Sequence, residues 1–335
     1  MYTGTSNLAT QMQMARANGQ TKQALNTAGQ EVASGKKANL VKATGGDIGP
    51  LFALERNLAQ LEQRAGSIRD ASAKAAATQL NMANIQDTLA NYGVDLLAAT
   101  NLESQPQAFG IANSALGALD RMVSSLNAQY AGQSLFAGAG VDGVAVIDAE
   151  TMYDDIAALT ALAADSTAAI AAVDDYFFNP AGGFMSSGFT GSALDAPGAG
   201  ISDGEVANYS LRADDMGIRN ALRNVALAAV AGNGDHGGGT LDGMNMLREA
   251  AQGAVSGNDG LVDMRQNLGF VEQQIDNAAA RNTAEASAFE INRNAILAAD
   301  PYEAATRFQA LEGQMEAIYL MTSRLSSMRL QNYLR

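Results

Sequence analysis

The chain has 335 residues, 47% of them hydrophobic but only 6% aromatic, with no Trp and no Cys. Much of the apolar content is therefore alanine, which suits long, closely packed helices, and the lack of cysteine excludes disulfides, thiolate metal sites and Cys nucleophiles. A net charge of −14 argues against nucleic acid as a partner, because phosphate neutralisation needs a basic face.

That charge is unevenly placed. Residues 141–240 carry fourteen acids against Arg212, Arg219 and Arg223, whereas the first 42 residues set Arg16, Lys22, Lys36, Lys37 and Lys42 against Glu31 alone. A solvated acidic middle on a buried helical base is one reading of this asymmetry; acids that simply keep the surface soluble are the other. The opening Met1-Tyr2-Thr3-Gly4-Thr5-Ser6-Asn7 has neither a basic n-region nor an apolar h-region, so no cleavable secretory signal is expected. No apolar stretch approaches the ~20 residues that span a bilayer, so no membrane partner is expected.

In chain order, residues 7–33 read as a helix with Leu8, Met12, Ala15, Leu25, Ala28 and Val32 on one side, followed by a loop over 36–50. Pro50 suits the first turn of a long helix that reaches about residue 103, with Leu51, Leu54, Leu58, Leu61, Ala65, Ile68, Ala75, Met82, Leu89 and Leu96 as its stripe. Pro106 breaks the pattern before a helix over 107–131. The turn-rich stretch Gly132 to Gly143 lies between short strands at 135–137 and 144–147. Helices are expected at 150–164 and 166–178, then a Gly/Ser-rich loop from Gly182 to Gly204 and a strand over 206–213. Asp214-Asp215 would cap a helix carrying Ile218, Leu222, Val225 and Leu227, which ends at the break Gly232 to Gly239. A helix over 240–256 and a second over 260–299, capped by Asn258-Asp259, carry Leu261, Met264, Leu268, Val271, Ile275 and Ala278. Asp300 as N-cap and Pro301 at the first position start a last helix with Ala304, Phe308, Leu311, Met315, Ile318 and Leu325.

Sustained heptad stripes bury only against other helices. The expected fold is mainly α, an elongated helical bundle or coiled coil formed by both chain ends, with a mixed α+β central domain inserted. The expected domains are 1–42 with 300–335, a terminal coiled coil; 43–140 with 240–299, a helical bundle; and 141–239, a variable outer domain. A chain with such stripes near both ends is suited to joining things rather than transforming them.

Nothing in the chain points to catalysis, a cofactor or a metal site. Gly138-Ala139-Gly140-Val141-Asp142-Gly143 matches the dinucleotide pattern, but Val144 to Ile147 directly after it are strand-like rather than helical, so a hairpin turn is expected. Gly232 to Gly239 is a single Gly/Asp stretch, too short for a calcium-binding β-helix. It holds His236, the only histidine, which has no partner that the sequence identifies. The acidic pairs at 154–155, 174–175 and 214–215 read as caps or solvated faces, and Met315, Met321 and Met328 as packing residues.

Three segments carry a resemblance to a known family. They are Ala33-Ser34-Gly35-Lys36-Lys37-Ala38-Asn39 after the first helix, Gln133-Ser134-Leu135-Phe136-Ala137-Gly138, and the closing stretch from Asp300-Pro301-Tyr302 through Arg307-Phe308 and Met321-Thr322-Ser323-Arg324-Leu325 to Leu330-Gln331-Asn332-Tyr333-Leu334. In these the chain resembles the bacterial flagellin superfamily, and within it the hook-associated protein 3 family. Leu40 to Pro50 stand where the family carries an Asp-Asp-Pro motif.

The resemblance implies a structural adaptor ring between hook and filament, self-assembling beside a neighbouring hook-associated protein and flagellin. It also implies unsignalled export through the flagellar type III apparatus, a cytoplasmic export chaperone on the last helix, and a place in the extracellular flagellum. Its terminal helices would order only on assembly. The implied assembly interface comprises Leu8, Met12, Leu25, Val32, Phe308, Leu311, Met315, Ile318, Leu325, Met328, Leu330, Tyr333 and Leu334. A filament flagellin, which shares the terminal helices, and a helical signalling or scaffold module are the alternatives.

Overall fold

The structure, a computed structural model, describes residues 4–102 and 104–333, with side chains described at 9, 12–39, 41–42, 44–102 and 104–324. The helices are α1 (Gly4–Ser34), α2 (Leu40–Ala43), α3 (Gly49–Thr100), α4 (Gln105–Ala112), α5 (Ala115–Leu126), α6 (Ala149–Thr160), α7 (Ser166–Phe178), α8 (Met216–Asn233), α9 (Thr240–Leu297) and α10 (Pro301–Tyr333). A five-residue π-helix (Phe184–Gly188) and two small antiparallel hairpins complete the described elements, the hairpins being β1 (Gln129–Tyr130) with β2 (Gln133–Ser134) and β3 (Ala199–Ser202) with β4 (Glu205–Ala207). The fold is mainly α with a small mixed central region, as the periodicity predicts. The chain divides into two compact units, residues 1–62 with 284–335 and residues 63–283.

In the unit 63–283, the buried positions of α3 step by heptads through Ile68, Ala75, Met82, Leu89 and Leu96, interleaved with Ala71, Thr78, Ile85, Tyr92 and Ala99. On α9, Leu247, Ala254, Leu261, Leu268 and Ile275 step in the same way. The two stripes pair antiparallel. A Cβ on Gly93 would lie 3.1 Å from that of Ala254, and Arg265 donates to the Gln86 amide oxygen. Hairpin β3–β4 covers part of this seam with Ile201 and Ala207, which share a cluster with Ile68, Ala71, Leu268 and Ile275.

Helix α8 is the centre of the larger core, because every residue from Ala221 to Ala231 is buried. A helix apolar all round must be enclosed, and α4, α5, α6 and α7 all pack against it. Its two polar members are satisfied internally. Arg223 Nε donates to Asp174 Oδ1 at 2.7 Å and its Nη1 to Asn224 Oδ1 at 2.9 Å.

Two departures from the sequence-based expectation arise from this packing. The helix expected over 107–131 is two helices, because the chain breaks at Asn113-Ser114. There α8 comes so close that a Cβ on Gly232 would sit 2.7 Å from the Ala112 carbonyl carbon, and the Ala112 oxygen accepts from the Tyr92 hydroxyl at 3.0 Å. Conversely, the helices expected over 240–256 and 260–299 are one, and Asn258-Asp259 caps nothing. The glycines in this stretch are there for close approach. A Cβ on Gly253 would lie 2.2 Å from Asn224 Oδ1, and one on Gly260 3.4 Å from Gly217 Cα.

The strands expected at 135–137 and 144–147 reduce to single bridges, Ala137 with Arg212 and Val146 with Phe189, and β4 occupies only the start of the strand expected over 206–213. The glycine-rich match at 138–143 is a turn, and no helix opens directly after it. Gly138 has φ +61°, and a Cβ there would meet the Leu194 carbonyl oxygen at 2.4 Å, so only glycine fits. Ala139 N–H donates to Leu194 O at 2.8 Å and Ser192 N–H to Ala137 O at 2.9 Å, while Arg212 ties the facing loop with ion pairs to Asp195 (2.8 Å) and Asp214 (2.7 Å).

Two consequences are measurable. Gly253→Ala gains up to about 1 kcal/mol of helix propensity, but forces the buried Asn224–Arg223 pair to move. We expect the strain to win and the melting temperature to fall. Leu268→Asp should cost about 3–5 kcal/mol in chemical denaturation, whereas Asp154→Ala, on an exposed face, should change stability by less than about 0.5 kcal/mol.

A pH dependence arises from Asp242, whose carboxylate accepts from Ser166 N–H and Gly239 N–H, each at 2.9 Å. Those backbone hydrogen bonds hold its pKa below the ordinary 3.8. A depressed folded-state value means that the stabilisation is complete above 3.8 and is lost as pH falls through the folded value. Asp215, raised chiefly by burial, acts with the opposite sign. Acid titration followed by circular dichroism should show Asp242→Asn losing less stability than wild type below the ordinary aspartate value.

Candidate assembly interface

The unit 1–62 with 284–335 holds the residues that the sequence assigns to assembly. Helices α1 and α10 lie antiparallel. A Cβ on Gly29 would touch the Phe308 ring at 3.3 Å, Glu31 pairs with Arg307 at 3.2 Å, and Lys36 bridges Ala298. The joint is closed by backbone: Lys37 N–H donates to Leu297 O at 2.8 Å and Ala299 N–H to Gly35 O at 2.9 Å. Gly35 takes φ +67°, which lets the chain leave α1 in a left-handed turn. Asp300 caps α10 as expected, accepting from Tyr302 N–H at 2.8 Å and Glu303 N–H at 3.1 Å.

The seam between these helices is narrow. Among the described side chains, its buried members are Thr21, Ala28 and Glu31 on α1 and Ala304 and Met315 on α10. Among the predicted residues, Met315 is buried and Leu25, Phe308, Leu311 and Ile318 are half-buried. Met12 and Val32 are not in the seam; they are 56% and 47% exposed. Glu31 takes the buried place beside Val32 because its carboxylate answers two donors, Arg307 and, at 3.1 Å, the Ala38 backbone N–H. The side chains of Leu8, Leu325, Met328, Leu330 and Tyr333, and all of Leu334, lie outside the described residues.

Neither Glu31 nor Arg307 was singled out by apolar periodicity, which does not score charged residues. Their signal lay in the spacing, since Glu31 sits three residues after the buried Ala28 and Arg307 three after the buried Ala304. Around them opens a cleft of about 770 Å³, lined by Gln20, Gln23, Thr27, Lys37, Lys42 and Glu303 among others. On the outer faces, Tyr319, Leu320 and Met321 of α10 are each more than half exposed, as is Met12 of α1. Among the described residues, the α1–α10 pair therefore buries few side chains and presents a broken row of apolar side chains outward.

Among the described residues no helix is long and apolar enough to cross a membrane, and no group of three or more His, Cys, Asp or Glu is placed to hold a metal ion.

Residues 256–334 match the family described as the bacterial flagellin C-terminal helical region. No curated protein matches the chain in sequence. Among solved structures, a protein from Vibrio parahaemolyticus described as a flagellar hook-associated protein shares the fold with a TM-score of 0.55 at 12% identity, over 73% of this chain and 95% of that one. FlgL of Bacillus cereus does so with a TM-score of 0.52 at 13% identity, over 72% of this chain and all of that one. The resemblance to the bacterial flagellin superfamily thus holds in sequence at the C-terminal region, and in fold across most of the chain.

The Glu31–Arg307 pair gives a direct check on the seam. Glu31→Ala removes the acceptor shared by Arg307 and the Ala38 N–H, and a lost buried acceptor of this kind costs about 1–3 kcal/mol. Limited proteolysis should then release α10 several-fold faster, while the melting of residues 63–283 stays unchanged.

Proposed function

We propose that this protein is a structural, non-catalytic subunit of the bacterial flagellum and acts as the adaptor ring that joins hook to filament. The observation that carries the reading is the α1–α10 pair: two antiparallel helices with a thin seam and outward-facing apolar residues, on a chain whose C-terminal region matches that of flagellins. A thin two-helix seam is marginal in isolation and gains stability by packing against further helices. Such helices would come from neighbouring copies, from the adjoining hook-associated protein and from flagellin. Before assembly the same face of α10 would be covered by an export chaperone, with transport through the flagellar type III apparatus to the extracellular flagellum.

In this reading Leu25, Phe308, Leu311, Met315 and Ile318 hold the pair together, and Met12 and Val32 face neighbouring subunits. Leu8, Leu325, Met328, Leu330, Tyr333 and Leu334 extend the interface towards both ends of the chain. Residues 1–42 with 300–335 form the assembling coiled coil, 43–140 with 240–299 the supporting bundle, and 141–239 an outer domain. The fold shared with hook-associated proteins favours the junction over the filament, although the C-terminal match alone is common to both.

Deleting residues 325–335 separates these roles. The remaining chain should keep its helical circular dichroism, and cells should carry hooks without attached filaments while flagellin accumulates in the medium. Normal filaments would remove the assembly role from this end of the chain. Shortened filaments on an intact junction would identify a filament subunit instead.

A further inference from the structure

Two exposed apolar surfaces lie outside the α1–α10 pair, and their charges are opposite. The first belongs to the unit 63–283, where residues 159–166 meet residues 235–243. Gly237 N–H donates to Thr160 O at 3.1 Å, the Thr160 hydroxyl to Asp235 O at 2.8 Å, and Ser166 N–H to Asp242 Oδ1 at 2.9 Å. At this junction Leu162 and Leu241 are 87% and 73% exposed. The two segments contain Asp165, Asp235 and Asp242, and neither contains a lysine or an arginine.

The second surface, in the other unit, is the connection from α1 to α3 together with the first turn of α3. Val41 and Phe52 are 56% and 59% exposed there, and Ile48 is also exposed. The same stretch carries Lys36, Lys37 and Lys42 against Asp47 alone, and Asp47 Oδ1 already accepts from Gly49 N–H at 2.9 Å.

We propose that these surfaces are the two sides of one contact between copies of this chain, the acidic leucine surface of one seating on the lysine-bearing loop of the next. Exposed apolar residues rimmed by charge mark interaction sites, and the opposite signs supply the complementarity that selects a partner. Self-pairing of either surface is disfavoured, since it would set aspartates against aspartates or lysines against lysines. The contact is therefore heterologous, and a heterologous contact repeats from copy to copy, closing a ring or extending a filament. The acidic side is also preorganised, because backbone and side-chain hydrogen bonds already join the two segments before a partner arrives. The proposal rests on the functional reading only in taking copies of the chain to meet; the surfaces differ from the terminal helices.

The absence of native cysteine makes the test clean. Val41→Cys and Leu162→Cys, both at exposed positions, are introduced singly and together into the full chain. Each variant is checked by circular dichroism, then treated with a flexible bis-maleimide, which does not demand disulfide geometry. The reaction is run both in concentrated purified protein and in isolated flagella. We expect a ladder of dimers and higher species from the double variant in at least one preparation, a dimer alone from an equal mixture of the two single variants, and monomer from either single variant by itself. Adding Lys36→Glu, Lys37→Glu and Lys42→Glu should reduce the ladder at least about tenfold, the loss expected when attraction becomes repulsion across an interface. Absence of a ladder from the double variant in both preparations overturns the proposal, as does a single Leu162→Cys variant that dimerises as well as the mixture. A ladder in a protein found away from the hook–filament junction would leave this contact standing and reject the junction role. Correct location without a ladder would do the reverse.

Discussion

The antiparallel seam of α3 and α9 within residues 63–283 is the interaction on which the rest depends. A helix as long as α9 is not held straight by its own propensity; its stability comes from a face buried along its length. That face is supplied by side chains every seventh residue on both helices, small ones such as Ala75 and Ala254 alternating with large ones such as Met82 and Leu261. Where the small ones stand, the backbones close in, as at Gly93 against Ala254. On α9 the stripe turns polar at Asn282, and the compact unit ends at Thr283.

The seam gives α8 something to pack on, and α8 in turn organises the mixed region. Because α8 is buried on every side from Ala221 to Ala231, it is wrapped by α4, α5, α6 and α7, and its close approach sets the break between α4 and α5. The turn at Gly138 then fits against the loop near Leu194, held by Arg212 and its two aspartates. One of the segments behind the family resemblance, Gln133 to Gly138, thereby has a physical reason. Phe136 and Ala137 are fully buried, and the glycine next to them has no room for a side chain.

Among the described residues, the α1–α10 pair buries far less than residues 63–283 do. Residues 63–283 bury large side chains in quantity, including Tyr176, Phe136, Phe177 and Phe184, so this unit has a core of its own. Among its described side chains, the α1–α10 pair buries a threonine, two alanines, a glutamate and a methionine. Stability per residue is correspondingly low there, and elements with few buried contacts are those that order or rearrange on binding.

The long helices, their heptad stripes, the Asp300 cap and the glycine turn at 138 were legible in the sequence, because each depends on residues close together along the chain. Periodicity reports which face of a helix is apolar, and a proline or capping aspartate acts within one turn. What it could not report was whether Gly253, Gly257 and Gly260 end a helix or admit a neighbour. That depends on Asn224 and Gly217, which are distant in sequence and adjacent in space. The same holds for the break at Asn113, set by the approach of α8, and for the preference for Glu31 over Val32 in the terminal seam, set by Arg307 across it. Local chemistry determined the elements of this protein and the family they resemble; the tertiary structure alone decided which glycines admit a neighbour, which charges are buried and which apolar residues are left facing outward, because each of those is a contest between groups that meet only after the chain has folded.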